Sequence, residues 1–326
     1  MKKVLFIAPD FFNYSSIIKN KLIEKGYDVD WFDDRPSTNI IDKCLLRVNR
    51  NILKRKIKKY FYNKIYKAME EKNYDIVFVI LGQSFNQEMF NDLRKINPNA
   101  RYVLYLWDAV KNFPHIEDLA KAFDKVYSFD SYDCEKYGYE FLPLFYTEEK
   151  KSDLDVIYYV TFIGTIKKGK LSLFNKLKKE LDGKYDRNYF YLYLQHKIVY
   201  WYFKLIDKEF RGAKIKNFKF KKLDYTENNS IVNSSRIILD IPMRKQEGLS
   251  MRILECLGYH KKIITTNKNV LNYDFYKPEN IYYYDGEKID FDNIFFKSEY
   301  LEIDEEILKK YSLDTWVDKL LMEGQN

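Results

Sequence analysis

Twice along this chain, short apolar runs alternate with longer amphipathic segments, and that rhythm limits the fold more than any other feature. KVLFIA (3–8), YDVDWF (27–32), DIVFVIL (75–81), RYVLYLW (101–107) and KVYSFD (125–130) each read as an apolar or β-branched run, YDVDWF and KVYSFD the least purely. Runs of that kind suit strands buried on both faces. Helical segments separate most of them, such as SSIIKNKLIEKG (15–26), which ends on Gly26. Repeated βαβ units imply a parallel sheet with helices on both sides. The rhythm lapses in PLFYTEEKKSDLD (143–155) and then resumes with VIYYVTFIG (156–164), a helix over 168–182 and NYFYLYL (188–194). FKFKKL (218–223), a helix around 225–234, RIILDI (236–241), KKIITT (261–266) and NIYYYD (280–285) continue it. DEEILKKYSLDTWVDKLLM (304–322) has the spacing of a closing amphipathic helix.

The expected class is therefore α/β with two Rossmann-like domains. Residues 1–146 would form the first, 147–155 a linker, 156–303 the second and 304–326 a C-terminal helix packing near the interdomain region. A chain of 326 residues is longer than one core usually serves. Two such domains are expected to face each other across a cleft at the carboxyl ends of their strands, where open α/β sheets bind ligands.

Charge and composition narrow the partners. A formal charge of +8 favours anionic ligands: nucleotides, anionic lipid surfaces or nucleic acid. Cys44, Cys134 and Cys256 are far apart and make no CxxC pair, which excludes a disulfide scaffold and fits a reducing compartment. No run of 18 apolar residues occurs, and MKKVLFIAPDFF lacks the small-residue cleavage site of a signal peptide, so a cytoplasmic location is expected. Residues 39–71 read as a long basic helix, with ten Lys or Arg and no acid between Lys43 and Lys67. Leu46, Leu53, Ile57, Phe61 and Ile65 recur along it at near-helical spacing. Residues 43–67 fit either attraction to an anionic membrane surface or a solvated face around a core-facing stripe. RNA-binding and helix-turn-helix signatures are missing, so a nucleic-acid or membrane-surface binder stands only as the non-enzymatic alternative, and no nucleic acid is expected.

EGLSMRILECLGYHKKIITTN (247–267) is the most informative stretch. On a helix over 249–258, Leu249, Ile253, Cys256 and Leu257 share one side, while Arg252 and Glu255 are neighbours on the remaining surface. Gly248 at the start leaves room for a ligand to approach the backbone. Free N–H groups there suit a diphosphate, a guanidinium can fork onto phosphate oxygens, and a carboxylate can hold both ribose hydroxyls. The plain alternative is a surface ion pair worth a few tenths of a kcal/mol, on the order of 0.3.

This stretch resembles the donor-site signature of GT-B glycosyltransferases. More widely, LFIAPDFFNYSSII and WFDDRPS (within 5–37), YVLYLWDAVKN (102–112), FDKVYSFDSYDCEKYG (123–138), FLPLFY (141–146), TFIGT (161–165), KQEGLSMRILECLGYHKKIITTNKNVLNYDFY (245–276) and SLDTW (312–316) resemble a bacterial lipopolysaccharide and capsule glycosyltransferase family related to the spore-maturation type. The resemblance implies a GT-B fold and a nucleotide-sugar donor linked to UDP, GDP or dTDP. It also implies a bacterial surface glycan as acceptor, presented as a glycan or lipid-linked saccharide. By the same resemblance the second acid, Glu255, binds ribose, and the backbone at Gly248 meets donor sugar or phosphate. Arg252 and Glu255 rank ahead of Glu247, since close members of the family often lack an acid before the glycine.

Other candidates follow from position. Gly164 and Thr165, at the carboxyl end of the first strand of the second domain, and Lys167 just beyond suit phosphate charge, as do Lys245 and Ser250 beside Gly248. Asp108, after the fourth strand, is the first candidate for the base that takes the acceptor proton, with Asp10 second and His115 third. The alternative for Asp108 is a helix cap. The Asp-x-Asp pairs at 28/30, 153/155 and 290/292 lack the context of a metal-binding pair, so no obligatory metal is expected. An epimerase or phosphorylase acting on the same ligand class is the enzymatic alternative.

Overall fold

A computed structural model of the chain describes residues 1–37, 39, 42, 46, 49–149, 155–242 and 247–321. Its two alternating halves form two separate six-stranded sheets, and every strand pairing within them is parallel. One compact unit spans Met1–Leu144 and takes back the chain from Leu313; the other is Phe145–Ser312.

In the first unit β1 (Lys3–Ile7), β2 (Asp28–Phe32), β3 (Ile76–Ile80), β4 (Arg101–Leu106), β5 (Lys125–Ser128) and β6 (Glu140–Phe141) run in the order β2-β1-β3-β4-β5-β6. The central strands β1, β3 and β4 are buried nearly end to end, which is why they read as unbroken apolar runs rather than as alternation. The basic segment begins its described helical path at Arg50–Leu53, continues as Lys54–Tyr60, widens into a π-wound turn at Phe61–Tyr66 and finishes as Lys67–Glu71. Leu53, Ile57, Phe61, Ile65 and Met69 are all buried against the sheet. A strict four-residue spacing drifts by about 40° per step on an α-helix. The wider π turn advances less per residue and holds the stripe on the core. Of the basic segment 43–67, residues 43–45, 47 and 48 lie outside the described residues.

The closing segment departs from the expectation of one helix over 304–326. It forms two, Glu305–Lys310 and Leu313–Leu321, and the unit boundary falls between them at Ser312. The second helix belongs to the first unit because Trp316 packs its ring on Tyr105 (centroids 4.7 Å) and Phe78 (6.0 Å), while Lys25 bridges Asp314 and Asp318 at 3.0 and 2.7 Å. Of the expected linker 147–155, residues 150–154 lie outside the described residues.

In the second unit β7 (Tyr158–Thr165), β8 (Asn188–Tyr193), β9 (Phe218–Lys219), β10 (Ser235–Asp240), β11 (Lys262–Thr265) and β12 (Ile281–Tyr283) take the order β12-β11-β10-β7-β8-β9. Chain succession runs outward from β7 through β8 to β9, then returns to the other side of β7 with β10. The crossovers therefore diverge between β7 and β10, and the crevice of this sheet opens there. The long aromatic stretch 189–206 divides between β8 and a helix, Lys197–Ile206. Among the described residues no helix is long and apolar enough to cross a membrane.

Candidate functional site

At the carboxyl edge of the second sheet the loops after β7, β10, β11 and β12 enclose a cavity of about 440 Å³. Lys168, Gly169 and Lys170 form one wall, Ile241 and Pro242 the floor beside the crevice, and residues 266–269 with 283–286 the opposite side. Gly169 has φ +81°, a left-handed turn that an L side chain would strain. That turn delivers Lys170 to the start of the Leu171–Asp182 helix, so an ammonium and a helix N-terminus share one wall of the cavity. Both favour an anion. Burial pushes the Lys170 ammonium down to about 8, with Asp240 partly offsetting the loss of water and Lys167 adding to it.

Asp240 closes β10 and is buried. Ser250 donates to its Oδ1 at 2.8 Å and Thr265 to its Oδ2 at 3.0 Å. Burial raises this carboxyl above its ordinary range, opposed by Ser250, Lys170, Thr265 and Arg252. One carboxyl group thus ties the ends of β10 and β11 to the first turn of the Met251–Gly258 helix and faces a lysine of the cavity wall. Asn267 reaches the preceding loop: its Nδ2 donates to Gly248 O at 3.1 Å and Glu247 O at 3.3 Å, and Asn269 Nδ2 donates to Glu247 O at 3.0 Å. The Glu247–Gly248 backbone is held by two asparagines that line the cavity.

Arg252 and Glu255 are brought together as the helical spacing implies, 3.6 Å apart. Leu249, Ile253, Cys256 and Leu257 are buried, also as expected. The remaining surface, however, is not open. Leu254, Glu255 and Gly258 are buried too, and the Glu255 side chain is 7% exposed against 19% for Arg252. Neither residue lines the 440 Å³ cavity. Arg252 Nη2 donates to Asn228 at 3.2 Å. A Cβ on Gly258 would stand 2.5 Å from Glu148 O and 2.8 Å from the Tyr146 ring, so close packing of residues 146–148 covers this end of the helix.

The other expected phosphate residues divide. Gly164 and Thr165 end β7 and are half-buried; a Cβ at Gly164 would meet the Phe162 ring at 2.7 Å, a packing reason for that glycine. Lys167 is exposed and accepts the Lys170 N–H at its carbonyl, closing the turn. Ser250 spends its hydroxyl on Asp240. Lys245 lies outside the described residues.

The three candidate bases all stand beyond carboxyl ends of strands in the first sheet. Asp10 follows β1 and is exposed; Arg35 donates to its carbonyl at 2.6 Å. Asp108 follows β4, half-buried, and its Oδ1 accepts from Ala109 N at 3.0 Å and Asn112 Nδ2 at 2.6 Å, so it closes the turn it opens. His115 Nε2 lies 2.9 Å from Gln83 O. A carbonyl only accepts, so Nε2 carries the proton and Nδ1 keeps its lone pair. Burial, with Arg50 nearby, pushes this imidazole down to about 4.

Sequence reading missed Asp34, in the loop after β2. It is fully buried; the Gln83 backbone N–H and side-chain amide donate to it at 3.2 and 3.3 Å, and Arg35 Nε lies 3.8 Å away. Burial and the neighbouring Asp33 raise its carboxyl to about 7. Gln83 therefore links Asp34 to His115. Strain marks the same edge: Phe12 and Asn13 after β1 and Leu81 after β3 have φ of 47°, 64° and 66°. Non-glycine residues there cost about 1 kcal/mol or more each and gather at functional loops. A second cavity of about 290 Å³ in this unit is lined by Arg50, Lys54, Lys58, Ser84 and Asn86 among others.

Two of the Asp-x-Asp pairs, 28/30 and 290/292, make other contacts. Asp28 and Asp30 both bridge Lys72, while Asp290 accepts from Asp292 N and Asp292 bridges Lys297. Asp153 lies outside the described residues.

No protein-family model and no curated sequence matches the chain. Solved structures do. Anabaena Alr3699/HepE in complex with UDP-glucose superposes with a TM-score of 0.58 at 11% identity, covering 98% of each chain. The Neisseria meningitidis UDP-GlcNAc 2-epimerase bound to UDP-GlcNAc superposes at 0.53 and 12% identity, covering 98% of this chain and all of that one. Two parallel six-stranded Rossmann-like units, matched over nearly the whole length, decide the architecture. The fold is GT-B. In GT-B terms the 440 Å³ cavity sits at the topological switch of the C-terminal Rossmann-like unit, and the candidate bases sit on the carboxyl edge of the N-terminal one.

Proposed function

We propose that the chain is a glycosyltransferase that moves a sugar from a nucleoside diphosphate (UDP, GDP or dTDP) to a saccharide acceptor of a bacterial surface glycan, lipid-linked in its working form. The observation that carries this reading is the cavity at the switch point of the second sheet. It combines Lys168, Lys170 and Lys268, a helix N-terminus and a buried carboxyl that orders the surrounding loops. The donor's diphosphate fits that wall, and the partly exposed Tyr283 offers a ring to the base. Both solved structures above hold UDP-sugars.

In the transfer the acceptor oxygen bonds to the anomeric carbon while the bond from that carbon to the diphosphate oxygen breaks. The diphosphate leaves with the electron pair, stabilised by the lysines and the helix N-terminus. The hydroxyl proton passes to a base, for which Asp108, Asp10 and His115 remain the candidates. Exposed Phe11 and half-buried Trp107, ring centroids 6.4 Å apart, stand beside Asp10 and Asp108 and give a saccharide an apolar face to rest on. The basic 290 Å³ cavity suits the anionic end of a lipid-linked acceptor. In this reading Arg252 and Glu255 fix their helix, and Arg252 biases Asp240, rather than touch the ribose.

One of the two matched structures is an epimerase, so epimerisation of the donor sugar is the second reading. The test is incubation with UDP-, GDP- and dTDP-sugars, with and without saccharide acceptors. Nucleoside diphosphate released only with an acceptor supports transfer. An epimeric nucleotide sugar formed without acceptor supports the second reading and contradicts the first.

A further inference from the structure

The Lys197–Ile206 helix has an apolar face turned to solvent. Ile198, Trp201, Tyr202, Leu205 and Ile206 are 70%, 56%, 56%, 80% and 48% exposed. Their spacing is i, i+3, i+4, i+7, i+8, one continuous stripe of a helix. The opposite side is anchored: Tyr200 is buried and donates to Ala213 O at 2.8 Å, and Phe203 packs on Phe210. The stripe is therefore a fixed feature of a well-seated element. Single exposed apolar residues need no explanation, whereas five in one stripe do.

Charge indicates what covers it. The helix carries Lys197 and Lys204 and no acid. Of the acids just beyond it, Asp207 is buried, and Glu209 accepts from Ser172 N and Oγ at 3.2 and 2.7 Å. Two copies meeting through this face would bring their lysines together, whereas an anionic lipid surface would pair with them. Trp and Tyr at the boundary, aliphatic residues beyond and lysines at the flanks are the composition of a helix lying in the headgroup region. The helix also starts four residues after β8 ends, on the carboxyl edge of the sheet that carries the 440 Å³ cavity.

We infer that the exposed stripe of the Lys197–Ile206 helix docks the protein on an anionic membrane surface. This does not rest on the transferase reading, and it places docking on the bilayer itself on the second unit, whereas the basic 290 Å³ cavity would meet only the anionic end of an acceptor, which the vesicles below do not contain.

The test is flotation of the full chain with vesicles of equal parts phosphatidylglycerol and phosphatidylcholine, and with phosphatidylcholine alone. Wild type should float with the anionic vesicles and far less with the neutral ones. Trp201→Ser/Leu205→Ser should lower recovery about tenfold or more, since each ring or chain withdrawn from lipid forfeits its burial. Both residues are exposed, and circular dichroism with thermal melting checks that the variant folds. Lys54→Glu/Lys58→Glu should leave most of the binding in place. Equal recovery of wild type and the Trp201/Leu205 variant would overturn the proposal, as would loss of binding in the Lys54/Lys58 variant alone. A dimer in light scattering that Leu205→Ser dissolves, with no flotation of wild type, would assign the stripe to a second copy and also overturn it.

Discussion

The Ser250 hydroxyl lies 2.8 Å from Asp240 Oδ1, joining the start of the Met251–Gly258 helix to the carboxyl end of β10. Thr265 holds the other oxygen at 3.0 Å, so three elements meet on one buried carboxyl group. Ser250→Ala should cost about 1–2 kcal/mol of stability, the value of a hydrogen bond to a buried acceptor left short of a donor. Chemical denaturation measures it. A neutral substitution would mean that the helix start is held by other contacts.

Lys170 should separate stability from binding. Below about 8 its charge is buried at a cost, so Lys170→Met should raise the melting temperature of the free protein at neutral pH. In the wild type that cost is relieved as pH climbs from about 8 towards 10.5, because there the unfolded chain holds the proton and the folded chain does not. The gain from the substitution should fade over the same window. Nucleoside diphosphate binding should meanwhile weaken about 10- to 100-fold, as expected for a lost charge-assisted hydrogen bond.

Glu255→Ala distinguishes a structural acid from a ligand-binding one. With its side chain 7% exposed and 3.6 Å from Arg252, removal leaves a guanidinium short of a partner and should cost about 1–3 kcal/mol in denaturation. Nucleotide affinity should change less than in Lys170→Met. A stable Glu255→Ala protein that fails to bind nucleotide would restore the ribose role.

Asp34 predicts a pH dependence of its own. Its carboxyl is raised from 3.8 to about 7, so between those values the folded chain holds a proton that the unfolded chain has lost. The sign is negative: stability is full below about 3.8 and declines as pH rises through about 7. Asp34→Asn, which keeps a neutral group in place, should be more stable than wild type at pH 8 and lose that advantage at acid pH. His115 acts in the other direction, since its imidazole is lowered to about 4 and stability drops as pH falls from 6.5 through that value. Thermal melts of Asp34→Asn and His115→Gln across this range would resolve the two slopes.

Much of the fold was legible because parallel strands buried on both faces read as unbroken apolar runs. Ten of the twelve strands among the described residues coincide with apolar or β-branched runs, though the edge strand β2, DVDWF, is mostly half-buried. FKFKKL holds the two-residue β9 only at its start, and the other two-residue strand, β6, has no room for a pattern. The division at Ser312 was not legible either: the apolar spacing on either side continues, and it is the tertiary contacts of Trp316 with Tyr105 and Phe78 and of Lys25 with Asp314 and Asp318 that assign the last helix to the first unit. In the site, spacing correctly placed Arg252 beside Glu255, but what covers a helix depends on distant segments, here residues 146–148 at Gly258. Lys170 carried a usable signal, a lysine after Gly169 at the end of a strand loop. Asp240 and Asp34 carried none, because an acid that ends or follows a strand looks the same whether solvated or buried.

The most direct measurement is calorimetric titration of the wild-type chain and Lys170→Met with UDP, GDP and dTDP in buffers of different ionisation enthalpy near pH 8. Binding of at least one nucleotide to wild type is predicted, with proton uptake as the phosphate draws the Lys170 ammonium back to its charged form and with both signals lost in the variant. Binding of none of them, or equal binding and equal proton uptake by the two proteins, would contradict the placement of the nucleotide at this cavity.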